Sequence, residues 1–281
     1  MLHRAKKSYG QNFLNDMSVV KKIIDEADIK KGEIVLEIGP GKGVLTQALV
    51  EAGAKVIAIE ADRDLINPLQ EKFGNKIELI FGDALQNFGR HKWRPYLITP
   101  PLHHFKYKLV ANIPYNITSA ILEKFLTNKP KPSHMVIMVQ REVADRIVAK
   151  PPNMSLLSVV CQMYGECRKV VKVPAGAFRP IPKVDSAVVH IDLFQKNENR
   201  FLLKTKKGFE ENVIALAKAG FAHKRKQLHG NLQSAGKGSS KEIKEILKNL
   251  GFSEFIRAQE LTVENWIELY FAQTRVHKGQ S

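Results

Sequence analysis

Four residues suited to ligand chemistry each follow an apolar run of the sequence. Gly39, Glu60, Asp83 and Asn112 come directly or almost directly after runs typical of buried strands. The carboxyl ends of parallel strands meet at one edge of a sheet, where open α/β folds bind their ligands. A glycine turn, two carboxylates and an amide at successive strand ends predict a site for a nucleoside-bearing cofactor. Taken singly, Glu60 and Asp83 also fit solvated turn residues.

The glycine run favours one cofactor over another. Gly39, Gly41 and Gly43 form G-x-G-x-G, and Val44 stands where the dinucleotide fingerprint requires a third small residue. A ribose diol would use Glu60 in either cofactor, whereas Asp83 can accept from an adenine amino group. An acidic cleft suits the cationic S-adenosylmethionine and repels the pyrophosphate of NAD. The residues therefore favour S-adenosylmethionine, with NAD as the alternative.

The fourth strand end, Asn112-Ile113-Pro114-Tyr115, suits methyl transfer to an exocyclic amine. The Asn112 side-chain oxygen and the carbonyl of Ile113 or Pro114 can accept the two amino hydrogens. Tyr115 can stack on the base. Catalysis would then be mainly positional and electrostatic, without a strong general base. The alternative is a strand followed by an ordinary turn.

These residues require a parallel sheet to bring them together. Apolar runs alternating with helical segments predict an α/β fold with a Rossmann-like sheet, in which the strands are buried on both faces. The predicted parallel strands are 34–38, 55–59, 76–81, 107–111 and 135–139. Segments 170–173 and 187–193 predict an antiparallel pair at the sheet edge, and 178–184 is too rich in proline for regular structure. The predicted helices lie at 18–27, 44–52, 63–73, 118–126, 142–149 and 156–163, and at 208–221, 241–250 and 263–272 in a small all-helical domain. The expected division is 1–17 as an N-terminal arm, 18–196 as the Rossmann-like domain and 197–281 as the helical domain.

Composition indicates a polyanionic partner. The 281 residues carry 44 Lys and Arg against 28 Asp and Glu, a formal net charge of +16. Such an excess favours nucleic acid before a membrane surface. Two cysteines form no disulfide framework or common zinc pattern, so we expect no metal and a reducing, cytoplasmic location. The N-terminal residues lack the apolar stretch of a secretory signal, and no apolar run is long enough to span a membrane.

Seven basic residues near the start of the helical domain are candidates for binding RNA phosphates. They are Lys204, Lys206, Lys207, Lys218, Lys224, Arg225 and Lys226. Binding through such residues weakens steeply with salt. The alternative is a solvated helix face.

With these motifs assembled, the chain resembles the ribosomal RNA adenine N6,N6-dimethyltransferases. It is most similar to members that modify two adjacent adenines near the 3′ end of small-subunit rRNA. The matching segments are 10–16, 37–41, Glu60, 82–83, 111–117, 139–146, 178–186 and 224–228. Their order and number make the resemblance specific over most of the chain.

The resemblance implies roles for individual residues. Its cofactor contacts are Asn12, Leu14, Gly39, Gly41, Glu60, Asp83 and Asn112. Its target-base contacts are Asn112, Pro114, Tyr115 and Phe178, although Phe178 alone would be read as a core residue. The N-terminal arm becomes a cover over the cofactor, and the helical domain becomes an RNA-docking module. We expect a monomer that binds the pre-ribosomal small subunit.

Two segments depart from the family pattern. The chain is longer than expected between Leu85 and Lys106, where basic and aromatic residues interleave as in single-strand RNA contacts or in a decorated surface loop. Residues 153–155, Asn-Met-Ser, stand where the family usually has Tyr-Gly.

Three other functions stay open from the sequence alone. A large-subunit rRNA adenine methyltransferase that confers macrolide resistance shares the cofactor motifs. A ribosome-assembly factor would use the same RNA surface with methylation secondary. An NAD-dependent oxidoreductase would use the glycine turn.

Overall fold

The computed structural model describes residue 6 and residues 10–87, 106–194 and 208–278. The chain forms two compact units. The first comprises residues 1–145 and 166–193, and the second comprises 146–165 and 194–281. The second unit includes 146–165, which the sequence-based division assigned to the Rossmann-like domain.

A seven-stranded mixed sheet forms the centre of the first unit. Its strands are β2 (Ile34–Ile38), β3 (Lys55–Glu60), β4 (Ile77–Phe81), β5 (Tyr107–Asn112), β6 (His134–Gln140), β7 (Gly165–Val173) and β9 (Ser186–Leu193). Across the sheet they lie in the order β4-β3-β2-β5-β6-β9-β7. Strands β2 to β6 pair in parallel, and β9 runs antiparallel to β6. This confirms the α/β fold class.

Helices cover the sheet because their apolar residues recur on one face. They are α1 (Met17–Ala27), α2 (Val44–Glu51), α3 (Arg63–Phe73), α4 (Ala84–Asn87), α5 (Thr118–Thr127) and α6 (Arg141–Ile147). In α1, Val19, Val20, Ile23 and Ala27 are buried, and the Asp16 side chain caps the helix by accepting from the Ser18 N–H. The central strands β5 and β6 have almost no exposed apolar side chains, as expected for a sheet buried on both faces.

Two short strands were not predicted. In a separate two-stranded sheet, β1 (Phe13–Leu14) pairs antiparallel with β8 (Phe178–Arg179). The Asn15 N–H extends the pairing by donating to the Ala177 carbonyl at 2.9 Å. The sequence does not indicate this pairing, because two residues are too few to show the alternation of a strand and the segment after Phe178 is rich in proline.

The edge strand β7 begins at Gly165, five residues earlier than expected. Its early residues Glu166, Arg168 and Lys169 are charged, so no apolar run marks them. Charged side chains are usual on an edge strand, where they oppose pairing with another chain.

The second unit is helical in its described part. It contains α7 (Leu156–Tyr164), α8 (Phe209–Gly220), α9 (Leu228–Ser234), α10 (Ser240–Asn249) and α11 (Val263–Lys278). The indole of Trp266 is fully buried and packs against α8 at Gly220, where an added Cβ would lie 2.4 Å from the ring. Helix α9 was not predicted, because only Leu228 and Leu232 form its buried apolar stripe. No helix in the described residues is long and apolar enough to cross a membrane.

Candidate active site

The described residues of the first unit enclose a cavity of about 370 Å³ at the carboxyl ends of the parallel strands. Strand order changes direction between β2 and β5, and this switch point is where α/β sheets bind ligands. The wall is built by an N-terminal strap (residues 10–14), the glycine loop after β2, the ends of β3 and β4, and residues 112–117 after β5. All seven predicted cofactor residues line it: Asn12, Leu14, Gly39, Gly41, Glu60, Asp83 and Asn112.

The glycine loop brings backbone close to the cavity. Gly41 has φ of +60°, a left-handed conformation that favours glycine, and a Cβ there would lie 3.0 Å from the Phe13 ring. The Gly41 N–H donates to Glu60 Oε2 at 3.1 Å. In dinucleotide-binding loops such N–H groups face a pyrophosphate. Here this N–H is used by a carboxylate instead.

Two glutamates, Glu37 and Glu60, contribute to the acidic wall. Glu60 also accepts from the Asp62 N–H, through Oε1 at 2.8 Å, and burial raises its pKa although the two N–H donors oppose the shift. Glu37 is 1% exposed, and its Oε2 has no hydrogen-bond partner among the described residues. Burial raises the pKa of Glu37 to about 8, and the nearby Glu60 charge adds to the shift. No role was predicted for Glu37, although a single acid within the apolar run 34–38 was a visible signal.

The end of β4 contributes Asp83, which lines the cavity together with the exposed ring of Phe81. Asp83 Oδ1 accepts from the Leu85 N–H at 2.8 Å, which fixes the turn into α4. The ammonium of Lys124, which lies on α5, donates to the Leu85 carbonyl and so connects this turn to α5. The carboxyl is thus held at the cavity rim.

Residues 112–115 form the opposite wall. Asn112 Nδ2 donates to the Asn12 carbonyl at 3.2 Å, so Oδ1 is the acceptor end of the amide. The Pro114 carbonyl already accepts from the Ile117 N–H at 3.1 Å and the Thr118 hydroxyl at 3.4 Å. That carbonyl is therefore already engaged by the Ile117 N–H and contacted by the Thr118 hydroxyl, which favours the Ile113 carbonyl over it as the second acceptor.

Tyr115 lines the cavity and is half-buried. Its hydroxyl lies 2.6 Å from Ser186 Oγ. Burial raises the pKa of Tyr115, and the bond to Ser186 partly offsets this. The phenol is therefore neutral at physiological pH.

Phe178 does not line the cavity. Its side chain is 0% exposed and packs in the core with Phe13 and Leu14, because β8 pairs with β1. The expected contact between this ring and a target base is not available in this conformation, since no face of the ring is open.

The strap is anchored by a buried carboxylate that the sequence did not single out. Asp62 Oδ2 accepts from Gln11 Nε2 at 2.7 Å, and Oδ1 accepts from the Lys6 ammonium at 2.6 Å. The Asp62 side chain is fully buried, and these bonds lower its pKa against the opposing effect of burial. This role depends on the contact between Gln11 and Asp62 across 51 positions, which no local pattern of the sequence shows.

Four of the predicted RNA-binding residues are in the described part of the second unit. Lys218 is exposed on α8, and Lys224, Arg225 and Lys226 are exposed in the turn between α8 and α9. Asn231 supports this turn, since its Nδ2 donates to the carbonyls of Gly220 and His223 at 2.5 and 3.1 Å. Lys204, Lys206, Lys207 and most of the long segment 86–106 lie outside the described residues. Within the described ranges, no cluster of three or more His, Cys, Asp or Glu side chains could hold a metal ion.

This fold and cavity define a Rossmann-like methyltransferase. The family model described as ribosomal RNA adenine dimethylase matches residues 2–270, and the chain belongs to that family. A relative from Dehalococcoides mccartyi strain BAV1, named ribosomal RNA small subunit methyltransferase A, is 42% identical over 95% of this chain and 87% of its own. A relative of the same name from Fusobacterium nucleatum is 38% identical over 96% of this chain and 97% of its own.

Two solved structures share the fold over nearly the whole chain. A dimethyladenosine transferase from Plasmodium falciparum has a TM-score of 0.73 and 27% identity, covering 94% of this chain and 98% of its own. The 23S rRNA methyltransferase ErmE has a TM-score of 0.71 and 26% identity, covering 94% and 100%. The family membership predicted from the sequence is confirmed.

Proposed function

We propose that this chain dimethylates N6 of two adjacent adenines near the 3′ end of small-subunit rRNA, using S-adenosylmethionine. One observation supports this reaction above the others: an acid-lined cavity bounded on one side by Asn112 and Tyr115. Relatives about 40% identical over nearly their full length carry names that specify the small subunit. ErmE, whose name specifies 23S rRNA, is less similar in sequence.

The charge of the cavity supports the choice of cofactor. Glu60 and Asp83 line it against one lysine, Lys42. Glu37 also lines it, and its pKa of about 8 keeps it largely protonated at neutral pH while no cation is near. A cationic group such as the cofactor's ammonium beside its unpaired oxygen would lower that pKa and favour the carboxylate. A pyrophosphate would meet repulsion from Glu60 and Asp83 and would compete with Glu60 for the Gly41 N–H, so NAD is disfavoured.

The chain's own contribution to the reaction is to bind and orient the amine. Bound S-adenosylmethionine supplies a methyl group on a sulfonium sulfur. Asn112 Oδ1 and the Ile113 carbonyl would accept the two N6 hydrogens, which leaves the nitrogen lone pair directed at the methyl carbon. Tyr115 would stack on the base, a contact that contributes roughly 1–3 kcal/mol in single-stranded complexes. The N6 proton can leave to water after the C–N bond forms, so positioning carries most of the catalysis.

The second unit is the proposed RNA-docking module. Its exposed residues 224–226 supply three positive charges in one turn, which suits phosphate binding. A target adenine must leave its stack to reach Tyr115. We infer that the protein acts as a cytoplasmic monomer on an assembling small subunit, whose RNA is still open.

The decisive experiment combines site mapping with a binding control. Wild type and Asn112→Ala are incubated with undermethylated small subunits and labelled S-adenosylmethionine, and the modified bases are mapped. We expect two labelled adenines near the 3′ end with wild type, and lost methylation but unchanged RNA affinity with the variant. Labelling of large-subunit RNA would refute the proposed substrate.

The remaining alternatives predict different results. Normal small-subunit assembly in cells carrying Asn112→Ala, together with defective assembly in a deletion strain, would make binding the main role. Thermal stabilisation by NAD and none by S-adenosylmethionine would refute methyl transfer.

A further inference from the structure

The side chain of Ser186 is fully buried beside the candidate base site. Its Oγ lies 2.6 Å from the hydroxyl of Tyr115, across 71 positions of sequence. Ser186 is the first residue of β9 and pairs with Gln140 of β6. Its backbone is therefore fixed by the antiparallel ladder.

The residue before it is also held in place. Asp185 Oδ1 accepts from the Ala175 N–H at 3.1 Å, and its Oδ2 pairs with the Arg141 guanidinium at 3.2 Å. The Arg141 N–H donates to the Asp185 carbonyl at 2.9 Å. These three bonds, with the β6–β9 pairing, hold the backbone of Ser186, so its side chain extends from a fixed point beside Tyr115.

Tyr115 by itself has little to fix its ring. It lies in a short 3-10 turn, Tyr115–Ile117, between β5 and α5, and the ring is half-buried at the cavity wall. An aromatic ring can turn about two side-chain torsions, and loss of that freedom on base binding costs affinity or rate. A hydrogen bond at the far end of the ring fixes the position of the phenol oxygen and so restricts the first torsion in advance, and the preference of the phenol O–H for the ring plane adds a weaker restraint on the second.

We propose that Ser186 is a positioning residue, which holds the Tyr115 ring in the orientation that stacks on the target adenine. This inference rests on the proposed function, and it adds a residue that does not line the cavity. A half-buried phenol also gains from a partner for its polar hydroxyl, and Ser186 provides one. The bond therefore both satisfies the hydroxyl and fixes where the far end of the ring lies.

The test is a double-mutant cycle on methylation. Ser186→Ala and Tyr115→Phe each remove one side of the same hydrogen bond and keep the ring. We expect each to lower kcat about five- to tenfold, the size of one net hydrogen bond, and to leave the Kd for S-adenosylmethionine unchanged. The double variant should be no slower than either single variant, and Ser186→Thr should restore activity.

A matched control separates positioning from stability. Ser158 is also a fully buried serine, and its hydroxyl bonds within the α7 cap to Ser155. Ser158→Ala should lower the free energy of unfolding and leave kcat unchanged. Unchanged kcat in Ser186→Ala, or effects that multiply in the double variant, would overturn the proposal.

A substrate-free measurement keeps this inference distinct from the proposed function. In protein labelled with 3-fluorotyrosine, the Tyr115 signal is assigned by its loss in Tyr115→Phe. Ser186→Ala should shift this ¹⁹F resonance and change its line width, because the ring gains freedom. If wild type methylates no small-subunit RNA, the proposed function fails, and the resonance still decides whether Ser186 fixes the ring. An unchanged resonance would refute the positioning role.

Discussion

Removal of the Gln11 side chain should speed the release of cofactor, because Gln11 holds the strap closed over the cavity. Its Nε2 donates to the buried Asp62 carboxylate at 2.7 Å, and its Oε1 accepts from the Lys6 N–H at 2.8 Å. Asp62 in turn donates its backbone N–H to Glu60, the proposed ribose ligand. The strap and the cofactor site therefore share one hydrogen-bonded network.

The structure sets the size of the effect. A hydrogen bond to a charged group contributes about 1.5–3 kcal/mol. Asp62 keeps its Lys6 partner in Gln11→Ala, so the lower end of that range applies. A loss of about 1.5 kcal/mol raises the population of the open strap, and with it the release rate, about tenfold.

Two rates are measured. The first is the release of labelled S-adenosylmethionine after mixing with excess unlabelled cofactor, followed by stopped flow. The second is amide hydrogen exchange of residues 10–14 in the cofactor-free protein. Both rates should rise by a similar factor in Gln11→Ala. The control is Gln47→Ala, since Gln47 Nε2 makes the same type of bond, to Glu51 at 2.8 Å, on the exposed face of α2. Faster release without faster exchange would refute the argument, because Gln11 would then act on the cofactor directly.

Three further predictions address stability, pH and RNA binding. Gly43→Ala should lower the free energy of unfolding by about 2–5 kcal/mol in urea titrations, since φ is +71° and the new Cβ would lie 2.5 Å from the Phe73 ring. The pKa of Glu37 is raised to about 8, so the folded protein binds the Glu37 proton more tightly than the unfolded chain does. The free energy of unfolding should therefore fall as pH rises from about 4.5 to about 8, by up to about 1.4 kcal/mol per pH unit. Glu37→Gln should remove this dependence in urea titrations across that range. Alanine at residues 224–226 should weaken RNA binding. It should also reduce the magnitude of the slope of log K against log salt concentration by about 2–3, because three phosphate contacts are lost.

Each of these has a control in the chain. Gly32 has φ of +85°, and an added Cβ there would meet no atom within 4 Å, so Gly32→Ala should cost only the backbone strain of about 1–2 kcal/mol. An equal cost at both glycines would contradict the clash at Gly43. Glu51→Gln, on the α2 surface, should leave the pH dependence intact. Alanine at the exposed Lys22, Lys55 and Lys76 of the first unit should leave the salt slope unchanged, and an equal change there would refute a specific role for 224–226.

The parallel sheet could be predicted from the sequence because its signals are local. Strands β2, β3, β5 and β6 are buried on both faces, so each appears as a continuous apolar run, and each ends at or beside a polar or glycine position. The helices between them show apolar stripes and caps such as Asp16. Short or charged elements such as β1, β8 and the start of β7 lack these signals, and they were missed.

The sequence by itself determined the α/β sheet, the family and the residues that line the cavity, because the side chains needed for that chemistry stand at strand ends and in motifs that are contiguous in the chain. Only the tertiary structure decided how those residues are used. It pairs Gln11 with Asp62 and Tyr115 with Ser186 across 51 and 71 positions. It also buries Phe178 behind the strap and engages the Pro114 carbonyl with the Ile117 N–H. Hydrogen bonding and burial depend on which distant segments come within about 3 Å, the reach of a hydrogen bond, and no local pattern encodes that proximity.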